Sequence, residues 1–351
     1  MKNLIISLIA LTFFTTTPSA IAWIVYIDDG LSHTINDDTY KDDYIELDYF
    51  TANDPGTHVN LVSGAYTLGI TAHNNTTINM TGGEFRDHLQ ANDNSDITIS
   101  GGQAGVSVSA NDNSSITMYG GRVDGELNAR NYASVTLAGG DISYGIYAND
   151  QTVITMSSGS IGSSYVALNN SSITMSGGTV DENFYCQNDA QATITGGNVN
   201  QNVNAKNNGT IDITGGSVGM NLQAEHSGTI TMSGGSVTGE LYSYTDGIIY
   251  LDGTNFQITD LAGVTTSLSF GDKLSDFGSW VPYRPGGSIQ DYFTGTITGT
   301  LTDSTAISNT FRIWNTGDFA GTGDIIIIPE PATVILLGLG GLVLRRRKTA
   351  G

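Results

Sequence analysis

The chain repeats itself every 19 residues, and that spacing restricts its fold more than any other feature. Counted from the first residue of a Gly-Gly pair, the pattern returns at Gly82, Gly101, Gly120, Gly139, Ser158, Gly177, Gly196, Gly215 and Gly234, with degenerate copies at Ser63 and Gly253. Periods of this length belong to solenoids, where each repeat buries its apolar side only against its neighbours. Position 4 of the unit is apolar (Phe85, Ala104, Val123, Ile142 and onward), as is position 8 (Leu89, Val108, Leu127, Ile146). Position 10 is nearly all Ala, and positions 16 and 18 hold pairs such as Ile97 with Ile99 and Ile116 with Met118. Apolar residues two apart with polar residues between are strand alternation, and no helical period fits them.

Each unit therefore holds two clear strand pieces, at positions 8–10 and 16–18, and a shorter one near position 4. Gly-Gly supplies one corner, because a sharp turn needs backbone angles that glycine adopts at little cost. Asn or Asp at position 12 (Asn74, Asp93, Asp112, Asn131, Asp150, Asn169, Asn188, Asn207) supplies another, since both tolerate a left-handed backbone. The expected fold is all-β: a single-stranded parallel β-helix of about ten 19-residue rungs, with β caps at both ends and a short C-terminal hydrophobic helix. A right-handed coil is expected, because 19 is not a multiple of the six residues a left-handed hexapeptide helix requires. The repeats over residues 58–253 resemble the passenger β-helices of autotransporter adhesins, a resemblance of pattern that implies a fold and a surface location.

Residues 1–22 have the layout of a secretory signal: Lys2, an apolar core from Leu4 to Phe14, and the small-residue site Ala20-Ile21-Ala22. Residues 23–57 are rich in acids (Asp28, Asp29, Asp37, Asp38, Asp42, Asp43, Glu46, Asp48, Asp54) yet contain strand-like runs, and are expected to cap the first rung. Those aspartates also make a Ca²⁺ site conceivable, although no EF-hand loop or nonapeptide calcium repeat is present. Residues 254–328 lose the register and mix aromatics with Gly and Pro, as expected for a C-terminal β cap.

Residues 329–351 open with Pro329-Glu330-Pro331, continue through an apolar run from Val334 to Leu344, and reach the cations Arg345, Arg346, Arg347 and Lys348. This three-part arrangement, taken from Ile328, resembles the PEP-CTERM sorting signal of bacterial exosortase systems. The resemblance implies export, processing by an exosortase-type protease, and association with the cell surface or extracellular polysaccharide. The apolar run from Ala332 spans only ~20 Å as a helix, short of a ~30 Å hydrocarbon core, so it suits transient membrane contact better than permanent anchoring.

Acids outnumber Lys and Arg by 34 to 13, giving a net charge of −21 that repels phosphate backbones and excludes nucleic acid as a partner. The lone cysteine, Cys186, falls in the Ala column and reads as a small buried side chain. The five histidines (33, 58, 73, 88, 226) fall in different columns, and positions 5 and 6 show no paired acid and base. A β-helix polysaccharide-degrading enzyme is therefore the weaker expectation, and no catalytic residue is assigned. The one outward column with uniform chemistry is position 17: Thr98, Thr117, Thr136, Thr155, Thr174 and Thr193, then Thr231 after Asp212. It resembles the flat Thr arrays of ice-binding β-solenoids, while threonine is also the β-branched residue that a solvated strand prefers. The leading expectation is a non-enzymatic, structural or adhesive surface or matrix protein that contacts extracellular polysaccharide or other surface proteins.

Overall fold

The computed structural model describes residues 22–50, 56–283, 290–316 and 323–329. The chain divides into two compact units, one running to Tyr185 with residues 189–192, the other comprising residues 186–188 and everything from Thr193 onward. Each is a β-solenoid, and among the described residues the only helical element is the short 3-10 turn Leu274–Asp276.

In the first unit a turn of the solenoid is one copy of the repeat. Glu84–Phe85, His88–Ala91 and Asp96–Ile99 are its three strands. They bond in parallel to Gln103–Ala104, Ser107–Ala110 and Ser115–Met118 of the next turn. The register places Phe85 on Ala104, Leu89 on Val108 and Ile97 on Ile116, so each apolar column of the sequence becomes a stack of side chains. Phe85, Leu89, Ala91, Ile97 and Ile99 are all at most 2% exposed. In the position 8 column Tyr165 meets Phe184 edge-on with ring centroids 5.2 Å apart. The Tyr165 hydroxyl has no partner, and burial pushes its pKa up.

The two corners are made as the repeat suggests, with a division of labour inside the glycine pair. Gly102 takes φ 86° while Gly101 does not, but a Cβ on Gly101 would stand 2.7 Å from the Thr81 carbonyl oxygen of the preceding turn. One glycine is there for its backbone angle and the other for close approach. Position 12 is left-handed from Asn74 through Asn169, and its side chains also bond between turns, as where Asn131 Nδ2 donates to Asp112 Oδ1 at 2.9 Å. Position 14, next to this corner, carries small buried residues, Thr76, Ser95, Ser114, Thr152 and Ser171 among them, of which Ser114 donates to the Ala91 carbonyl at 3.2 Å.

The acidic N-terminal segment is built the same way. Ile24–Ile27 lies parallel on Tyr40–Leu47, which lies parallel on Tyr66–Ala72, and Ser32–Ile35 lies parallel on His58–Leu61. Ile45, Leu47 and Ile35 extend the apolar stacks. Asp48, buried and at φ 53°, does what Asn or Asp at position 12 does elsewhere. Its carboxylate accepts from Thr57 N at 2.6 Å, Thr57 Oγ1 at 2.6 Å and Thr76 Oγ1 at 3.2 Å.

The second unit opens with the same parallel turns, carried by Val203–Lys206, Leu222–Glu225 and Leu241–Tyr244 in one column. Thr210–Val218, Thr229–Val237 and Ile248–Thr259 form the next. After Asp252 the connectivity changes. Ile248–Thr259 pairs antiparallel with Gln290–Leu301, which turns back as Ala306–Thr316. The returning strand places Phe311–Ile313 in parallel on Leu241–Ser243, and Asp324–Ile328 lies in parallel on Ile248–Asp252. Asp303 ties the hairpin turn to the solenoid, accepting from Gly235 N at 2.9 Å and Thr305 N at 2.8 Å.

Candidate functional site

Two surfaces of the first unit carry the features a binding role needs. The first is the threonine column. Thr98, Thr117, Thr136, Thr155 and Thr174 are direct partners in successive parallel pairings, on the face of the strand opposite the buried Ile and Met positions. Thr136 and Thr155 are exposed and the other three half-buried. The hydroxyls barely engage one another, the closest approach being Thr155 to Thr136 at 3.4 Å. Beside them position 15 presents Asp96, Ser115, Ser134, Val153 and Ser172, so the uniform column has an uneven flank. In the second unit Thr193 is half-buried on its strand, and Thr231 pairs with Asp212 and Tyr250, so the column is interrupted there.

The second surface is a groove of about 660 Å³ at the corner between positions 4 and 8. Its floor is Gly105, Gly125 and Gly145, and around the floor stand Arg86, Val106, Asp124, Glu126, Tyr144, Tyr147 and Ser163. Glycine at those three positions lets neighbouring turns approach closely. A Cβ on Gly105 would collide with the Arg86 carbonyl oxygen and one on Gly125 with that of Val106, while at Gly145 it would lie 2.7 Å from the Ser164 oxygen. Tyr144 is 64% exposed and Val106 61%, far more than apolar and aromatic groups on the solenoid's inner side. Arg122 and Gln103 both donate to the Asp124 carboxylate. The Arg122 bond is the main reason its pKa is held below the usual aspartate value, and Asp124 is a fixed anion.

These residues escaped the column-by-column reading. Taken singly, position 5 runs Arg86, Gly105, Asp124, Ser143 and position 6 runs Asp87, Val106, Gly125, Tyr144, with no theme. The legible signal was diagonal: Gly105, Gly125 and Gly145 recur every 20 residues against a repeat of 19, stepping through positions 5, 6 and 7.

The N-terminal acids do not gather. Asp29 accepts from His33 at 2.9 Å, Asp37 from Thr39 N at 3.0 Å, Asp43 from Trp23 N at 3.2 Å and Glu46 bonds His73 at 2.9 Å. Among the described residues no three His, Cys, Asp or Glu side chains come together as a metal site would require, and Asp54 lies outside them. Cys186 is buried in the position 10 stack, its thiol donating to the Thr210 carbonyl at 3.3 Å, and burial pushes its pKa up to about 12.

The sorting signal begins at the end of the strand Asp324–Ile328. Ile328 is the last residue of the strand docked on Ile248–Asp252, and Pro329 follows it directly. Residues 328–348 match the PEP-CTERM protein-sorting motif. The chain carries that signal. The motif implies an exported protein that is sorted at its C-terminal region and processed by an exosortase. No curated protein and no solved structure matches this chain. The apolar helix expected between Val334 and Leu344, with the cations Arg345 to Lys348, lies outside the described residues. Among those that are described, no helix is long and apolar enough to cross a membrane.

Proposed function

We propose that this PEP-CTERM protein is a non-enzymatic structural or adhesive component of the cell surface or extracellular matrix, released from a transient membrane contact by cleavage near Pro329-Glu330-Pro331. The sorting motif at residues 328–348 carries the reading. A solenoid with polar outer strands and stacked inner ones supports it, since such a body offers repeated weak contacts along its length. The state of Asp124 adds support: a carboxylate fixed by Arg122 and Gln103, with a lowered pKa, is poorly suited to take up a proton as a general base.

Cell fractionation with intact-mass measurement tests the reading. Surface or matrix material should lack the residues beyond about the Pro-Glu-Pro triplet, and replacing Arg345, Arg346, Arg347 and Lys348 with Ser should leave unprocessed precursor. Full-length chain recovered from the matrix, Arg345 to Gly351 included, would refute it.

A second reading, binding to ice or another crystal lattice, draws on the in-register Thr98 to Thr174 column. It requires the purified protein to show thermal hysteresis and to lose it when Thr117, Thr136 and Thr155 are changed to Tyr. A protein with no hysteresis and no ice shaping disposes of this reading.

A further inference from the structure

We propose that the groove over Gly105, Gly125 and Gly145 binds one strand of an uncharged polysaccharide, its sugar rings stacking on Tyr144 and Tyr147 and its hydroxyls bonding to Asp124, Glu126 and Arg86. Three features of the groove select that ligand.

The first is shape. The lining residues come from five successive turns, from Arg86 to Ser163, so the groove follows the stacking direction for ~19 Å at the ~4.8 Å spacing of strands. An open furrow of that length suits an extended chain better than a compact metabolite. Gly105, Gly125 and Gly145 leave it lined there by backbone alone.

The second is chemistry. A sugar ring offers an apolar face and a rim of hydroxyls that donate and accept. The groove offers the exposed ring of Tyr144 and the half-buried ring of Tyr147 beside two carboxylates, which accept, and a guanidinium, which only donates. Tyr144, at 64% exposure, leaves most of its ring free to meet a ligand.

The third is what the groove refuses. An extended peptide would need a continuous edge of free backbone groups to pair with, and along the groove the N–H groups of Val106, Glu126, Leu127, Tyr144, Ile146 and Ser163, bonded within the solenoid, break any such edge. An anionic polysaccharide would meet Asp124 and Glu126 on a chain of net charge −21.

The proposal deepens the surface reading and rests on it only for where the ligand is met. Binding is measured on purified protein, so a failed fractionation experiment and a failed binding experiment are separate results. Saturation-transfer NMR and calorimetric titration of the full chain would use cello-, laminari- and chito-oligosaccharides as neutral probes, with an alginate oligosaccharide as the anionic one. At least one neutral probe should bind, with Tyr144→Ala weakening it by about tenfold or more and Glu126→Gln weakening it measurably. Tyr132→Ala, an equally exposed tyrosine outside the groove at 63%, should leave binding unchanged, and circular dichroism should show all variants folded. The proposal is overturned if no neutral probe binds, if alginate binds more tightly, if Tyr132→Ala weakens binding as much as Tyr144→Ala, or if an extended peptide occupies the groove in place of sugar.

Discussion

Ile154 and Thr155 are consecutive residues of the strand Val153–Ile161, one 0% exposed in the stack and the other outward in the threonine column. Exchanging each for a charged residue measures how sharply the two faces differ. In Ile154→Asp the cheapest way into the core is as the neutral acid. Taking up a proton at pH 7 from an ordinary pKa of ~3.9 costs about 4 kcal/mol. Burying the neutral carboxyl without a partner adds about 1–3 kcal/mol, and losing the isoleucine transfer energy about 1.5–3 kcal/mol. The sum, roughly 7–10 kcal/mol, approaches the whole stability of a typical domain at ~5–15 kcal/mol. Thr155→Lys changes an exposed site and should stay within about 0.5 kcal/mol.

The introduced carboxyl has a raised pKa in the folded state, so its penalty grows as pH rises above ~3.9 and is smallest in acid. Urea titrations followed by far-UV circular dichroism at pH 7 and pH 4, each against the parent protein, should show Ile154→Asp unfolded or nearly so at neutral pH and partly restored in acid. Equal losses for the two substitutions, or an Ile154→Asp penalty independent of pH, would refute the assignment of inner and outer faces.

Cys186, with its pKa pushed up to about 12 and its thiol buried, should resist iodoacetamide at pH 8 in native protein and react fully in guanidinium, read by mass spectrometry. Asp303 is opposed by partial burial, but the amides of Gly235 and Thr305 and the Thr305 hydroxyl hold its pKa below the usual value. Its stabilisation is therefore present above the unfolded-state pKa of ~3.9 and lost as pH falls through the lower folded value. Asp303→Asn should lower the melting temperature at pH 7, with the gap to the parent protein narrowing on acidification.

How far the sequence could be read depends on whether a feature lies along a column or across columns. Parallel stacking at a fixed interval turns each column into one chemical environment, so the buried stacks, the left-handed corner at position 12 and the threonine column were all legible in advance. The N-terminal turns were not legible as turns. Ile24 pairs with Tyr44 20 residues on, Leu47 with Ala72 25 on, and Ser32 with His58 26 on, so no single period survives although the stacking does. There Asp48 makes the corner without any neighbouring Gly-Gly pair to announce it. The groove was hidden for a related reason: its lining residues come from different columns of successive turns, and only the glycine diagonal at 105, 125 and 145 runs across columns in the same way. In the second unit, antiparallel pairing from Asp252 onward brings together residues far apart in sequence, such as Asp303 with Gly235, which no local pattern encodes.

The strand Asp324–Ile328 gives the sorting signal an unusual neighbour. Ile325 and Ile327 are 0% and 1% exposed, so anchoring these five residues is worth ~3–6 kcal/mol from the two side chains alone. A protease that must draw its substrate into an extended groove would have to peel each residue of Asp324–Ile328 from Ile248–Asp252 to reach a bond inside that strand. Folding before processing would thus act as a ruler. In the folded body, Ile328 marks the last bond position whose cleavage would require unpairing the strand on Ile248–Asp252.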